Sequence, residues 1–149
     1  MSLATNIVIG IISGMLFLLL LIIGIRFFRN RRLKNLGKNI EQQINPNLSI
    51  DNLIKKANFF AQEKQYVHSI IYLIYYFRKI CKKYYRIKNA IVLDFNEFPT
   101  KLVGYNSISI GKLRKILAIY EIAYFNSEKL TYEDFLQVKD FVLNLPKDP

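Results

Sequence analysis

The sequence predicts an all-α protein, with one N-terminal transmembrane helix followed by a compact cytoplasmic bundle of four to five helices. Three observations carry this. Residues 7–25 form an uncharged apolar stretch, and a dense run of cations follows it directly. From residue 49 onward, apolar side chains recur at helical spacing between capping residues.

The stretch from Ile7 to Ile25 runs for 19 residues without a charge, and 14 of them are Ile, Leu, Val or Phe. As a helix it would be roughly 28 Å long, close to the hydrocarbon thickness of a bilayer. Its aliphatic and aromatic residues favour insertion by something on the order of 6 kcal/mol. Residues 1–6 carry no charged side chain, whereas Arg26, Arg29, Arg31, Arg32, Lys34 and Lys38 place six cations in 13 residues with no acid among them. The positive-inside rule therefore puts the N-terminus outside the cell membrane and the rest of the chain in the cytoplasm. A cleaved signal peptide would need a positive leading region, a shorter apolar core and a small-x-small cleavage site, and these residues supply none of them. Gly10 and Gly14 are spaced as in membrane helices that approach closely, so two copies could pair there. Arg26 to Lys34 are also candidate contacts for anionic lipid headgroups.

Residues 26–48 read as a basic juxtamembrane segment and linker, with Pro46 between two asparagines. The helical domain spans 49–146. Ser49 caps a helix with Ile50, Leu53, Ile54, Ala57, Phe60 and Ala61 on one stripe, and Gln62 to Gln65 make a turn. Tyr66 to Phe77 is the most apolar soluble segment. It is too short to span a bilayer and reads as a buried central helix continuing to Lys88. Asn89 to Tyr105 is irregular: Ile91 to Leu93 could form a short strand, Pro99 and Thr100 suggest a helix start, and Gly104 a stop. Ser107 or Ser109 opens a helix with Leu113, Ile116, Leu117, Tyr120, Ala123 and Tyr124 on one face. Asn126 to Leu130 reads as a turn. Thr131 with Asp134 resembles a capping box leading into a last helix that buries Phe135, Val138, Val142 and Leu145 before Pro146.

In this part the pattern resembles the family of domains of unknown function numbered 4129. The residues that carry the likeness are Ala57 to Tyr66, Ile70 to Tyr85, Phe98-Pro99-Thr100, Ile119 to Tyr124 and Leu130 to Asp134, with Tyr120 to Asp134 the most specific. The resemblance implies a helical domain on the cytoplasmic side of a membrane span, found beside MoxR-type AAA ATPases and transglutaminase-like proteins. It implies a scaffold or adaptor without catalytic chemistry of its own.

The residues themselves offer little to a catalyst. The only histidine, His68, opens the most apolar helix, and the only cysteine, Cys81, has no second cysteine to pair with. One His and one Cys cannot complete a zinc site. Asp94 and Glu97 lie in the irregular segment and could face one way, whereas Glu133 and Asp134 sit in the first turn of a helix, where the dipole favours acids. The glycines form no phosphate loop. No catalytic residue, metal or cofactor is expected.

The surface feature that stands out is Arg78 to Lys88. Arg78, Lys79, Lys82, Lys83, Arg86 and Lys88 place six cations in 11 residues, interleaved with Tyr84 and Tyr85. They are candidate contacts for an acidic protein partner or anionic lipid. Nucleic acid, gripped at its phosphates and stacked on the tyrosines, is the weakest of the three readings. The chain is thus expected to be a membrane-anchored interaction module whose cytoplasmic partner is a protein, an AAA ATPase by the resemblance.

Overall fold

The computed structural model describes residues 12–25, 36–105, 108–125 and 130–147. Among them all regular structure is helical and there is no strand. The chain divides into two units, Met1–Leu33 and Lys34–Pro149.

In the first unit residues 12–25 are helical (α1), and their large apolar side chains are 46–67% exposed. Among the described residues no helix is long and apolar enough to cross a membrane. Residues 7–11, Gly10 among them, lie outside the described part of the apolar stretch, as do Arg26, Arg29, Arg31, Arg32 and Lys34.

The second unit holds α2 (Leu36–Gln43), α3 (Ile50–Gln62), α4 (Tyr66–Lys83), a 3-10 turn (Phe95–Glu97), α5 (Phe98–Leu102), α6 (Ile110–Phe125) and α7 (Tyr132–Leu143). Helix α4 is the axis, touching α2, α3, α6 and α7. It is buried on nearly every side from Ser69 to Cys81, with Lys79 the half-exposed exception. That is why its sequence shows a continuous apolar run instead of a stripe. Its neighbours need only one apolar face each, and they have one. Leu53, Ala57 and Ala61 on α3, Leu113, Ile116 and Tyr120 on α6, and Phe135, Val138 and Val142 on α7 are all buried. Each large side chain so removed from water contributes about 1.5–3 kcal/mol.

The ends of these helices follow the chemistry of their capping residues. Ser49 Oγ accepts from the Asn52 N–H at 3.3 Å. Thr131 Oγ1 accepts from the Asp134 N–H, and the Asp134 carboxylate accepts from the Thr131 N–H at 2.8 Å, completing the capping box. Helix α3 closes with the Gln65 N–H donating to Phe60 O and the Lys64 N–H to Ala61 O, which places Lys64 at φ 57°. This is a Schellman closure made without glycine. Directly after it, buried Ser69 donates from Oγ to Ala57 O at 2.7 Å and binds α4 to α3.

Three expectations need correction. The stretch Asn39 to Leu48 is not simply a linker, because Leu36 to Gln43 form α2. Leu36, Ile40 and Ile44 are four residues apart, and Ile40 and Ile44 are buried in the core. Gly37 allows α2 to reach α6: a Cβ there would stand 2.5 Å from the Tyr124 Cα and 2.9 Å from its carbonyl oxygen. The central helix ends at Lys83, short of Lys88. Tyr85 turns inward, its hydroxyl donating to Pro146 O at 2.7 Å, and Arg86 takes φ 54° as the Ile87 N–H closes onto Cys81 O. Finally, Ile91 and Val92 lie in a turn and Leu93 in irregular chain, with no partner strand among the described residues. Two of the carbonyls here, those of Ile91 and Leu93, are satisfied by a side chain instead.

Candidate functional site

That side chain is Arg78. Although it lies in the most cationic stretch of the domain, it is only 4% exposed. Its Nη1 donates to Ile91 O at 2.6 Å and to Leu93 O at 3.0 Å. Its Nε faces Glu41 Oε1 at 3.7 Å, an ion-pair separation without a hydrogen bond. The guanidinium also lies over the rings of Phe98 and Tyr120, at 5.7 and 5.9 Å from their centroids. The Tyr120 hydroxyl donates to Glu41 Oε2 at 3.4 Å. Arg78 therefore joins α2, α4, α6 and the 91–93 turn from inside. Glu41 was not among the residues singled out in the sequence. It is the first acid in the chain, which was the available signal.

Lys79 is half-buried and also engaged: its Nζ donates to Pro46 O at 2.7 Å and to Leu48 O at 2.6 Å. It holds the α2–α3 connection onto α4. The expected surface of six cations is thus divided by which of them meet acceptors from neighbouring elements. Arg78 is withdrawn from it and Lys79 is committed to backbone carbonyls, while Lys82, Lys83, Arg86 and Lys88 remain exposed. Among the described residues none of these four is paired with a carboxylate. Lys82 and Lys83 occupy the last turn of α4, where cations complement the helix dipole. Tyr85 is buried, with the ring of Tyr105 edge-on at 4.9 Å, so it is not offered for stacking. Tyr84 is half-buried with the Lys83 ammonium 5.0 Å from its ring centroid.

The other reactive side chains serve packing. The Cys81 thiol is fully buried, and burial pushes its pKa up to about 12, the reverse of what a nucleophile requires. His68 is half-buried with its ring 5.1 Å from that of Phe60, and burial lowers its pKa. Asp134 is engaged in the α7 cap, while Asp94 precedes the 3-10 turn and Glu97 ends it, both exposed. Among the described residues no three His, Cys, Asp or Glu side chains are grouped to hold a metal. Gly14, on α1, has open space where a Cβ would project.

Two grooves flank the basic face. One, of about 590 Å³, is lined by Lys38, Glu41, Ile91, Val92 and Asp94 among others. The other, of about 810 Å³, is lined by Asn47 to Ile50, Lys79, Lys82 and Lys83. Pro46, Tyr75 and Ile91 line both, so the grooves adjoin. Lys38, the last cation of the segment after the apolar stretch, therefore belongs to the same side of the domain as Lys82 and Lys83.

No family model matches the chain, and no curated protein or solved structure is significantly similar to it.

Proposed function

We propose that this protein is a non-catalytic interaction module, held at the cell membrane by residues 7–25 and presenting its helical domain to a cytoplasmic protein partner. The observation that carries the reading is the contrast between the two units. Helix α1 exposes an unbroken set of large apolar side chains, Met15 to Ile23, that water does not tolerate on a folded surface. The second unit, by contrast, buries a complete core of its own. The six cations after residue 25 support an N-terminus-outside orientation. The resemblance carried by Tyr120 to Asp134 favours an AAA ATPase as the partner. Pairing of two spans through Gly10 and Gly14 is compatible with the same reading. His68, Cys81 and Asp134 are each committed to packing or capping, which favours docking over catalysis.

Crosslinking in native membranes, with mass spectrometry of what is joined to residues 39–149, tests this. A recurrent protein partner recovered from detergent extracts is the expected result. Recovery of nothing above control across several mild detergents would remove the adaptor reading.

A further inference from the structure

The two adjoining grooves share a rim with a feature that the core does not explain. Val92 is 81% exposed, the most exposed large apolar side chain of the helical domain, and it stands beside half-buried Ile91 at the meeting of the grooves. On this side of the domain Lys38, Lys82 and Lys83 carry ammonium groups with no carboxylate partner among the described residues. Of the acids here, Glu41 is neutralised by Arg78, which leaves Asp94 as the opposing charge. A projecting aliphatic side chain among free ammonium groups is poorly suited to a shaped anionic ligand. The guanidinium that lines the first groove, Arg78, is already committed to two carbonyls and Glu41, and both grooves are open. It suits a surface that is negative at the outside and apolar just beneath.

Chain length limits where such a surface could be. From Ile25 to Leu36 the chain can extend no more than about 40 Å. A bilayer holding residues 7–25 therefore stays within about 40 Å of Leu36, which puts it at high effective concentration for the domain that Leu36 opens. We propose that the face bearing Val92, Lys38, Lys82 and Lys83 rests on the anionic headgroups of the bilayer that holds the anchor, with Val92 entering the headgroup layer. The inference rests on the anchor reading above and adds an orientation for the domain: the α6 and α7 surfaces away from this face are left for the protein partner.

The buried Cys81 makes a clean test possible, because its thiol is inaccessible. The full chain carrying Val92→Cys is labelled with an environment-sensitive dye. It is reconstituted in phosphatidylcholine vesicles with or without phosphatidylglycerol. A blue shift only with phosphatidylglycerol, abolished by high salt, is expected. Adding Lys82→Gln and Lys83→Gln should lower the bound-to-free ratio roughly thirtyfold, about fivefold per cation. The same dye at Val103→Cys, on an exposed site outside both grooves, should not shift. Identical spectra in the two lipid mixtures, with the chain still resisting alkaline carbonate extraction, would overturn the orientation while leaving the anchor in place. Equal shifts at positions 92 and 103 would overturn it as well. Extraction by carbonate would instead remove the anchor, and with it the tether on which the proposal stands.

Discussion

Arg78 and Lys82 are one turn apart on the same helix and carry the same charge, yet one is core and the other is surface. Position 78 faces α2, α6 and the 91–93 turn, where two carbonyls, a carboxylate and two aromatic rings compensate its desolvation. Position 82 faces solvent, with its charge unopposed. Formal charge therefore says little about a cation's role. What decides it is whether the surrounding elements supply acceptors, since a buried charge is tolerated only when it is paired and hydrogen-bonded.

The interior side of the contrast can be broken most strongly by alkali. Burial raises the Cys81 thiol to about 12, and burial first, then Glu41, raises Tyr120, Tyr124 and Tyr75; Tyr76 is raised chiefly by burial too. In each case the unfolded chain loses its proton first. The stability these groups contribute is therefore fully present below the ordinary values of 9 for the thiol and 10 for the phenols, and is lost as pH rises from there through the raised folded values. Cooperative unfolding between about pH 9 and 12, followed by circular dichroism, is expected. A baseline flat to pH 12 would contradict the described burial.

Next in size is Arg78→Ala, which strands Glu41 and the Ile91 and Leu93 carbonyls. It should cost about 3–5 kcal/mol in denaturant unfolding, whereas Lys82→Gln should change stability by less than about 0.5 kcal/mol. Equal effects at the two positions would erase the distinction. Gly37→Ala should cost about 1–3 kcal/mol, because the new methyl meets Tyr124 backbone and not a movable side chain. A gain from better helix propensity would show that α2 does not dock as described. The smallest effect is a stabilising one: Lys64→Gly relieves a left-handed residue at the α3 closure and should add up to about 1 kcal/mol. A loss of stability there would mean that the Lys64 side chain contributes contacts beyond its backbone.

Much of the helical domain could be read directly from the residues. Ser49, the Thr131–Asp134 box and the stripes of α3, α6 and α7 state their structure locally, because capping and periodicity act within a turn or two. Helix α2 was missed for the same reason in reverse. Asn39, Glu41, Gln42 and Gln43 made the segment look polar, and the apolar positions Leu36, Ile40 and Ile44 gain meaning only against α4 and α6. The basic face was half legible: the sequence marked the cations, but their division depended on acceptors contributed by residues 41, 46, 48, 91 and 93. Val92 had no local signal at all, since exposure is a property of the assembled fold.

The seating of α2 has a mechanical corollary. The chain enters the helical domain at its first helix, and that helix is locked by the Gly37–Tyr124 approach and by Glu41 on Arg78 and Tyr120. A pull along the N-terminal chain therefore loads α6 and the central helix at once, and several contacts must give way together before α2 can detach. The load path is short, so this end of the domain cannot unravel by losing α2 alone.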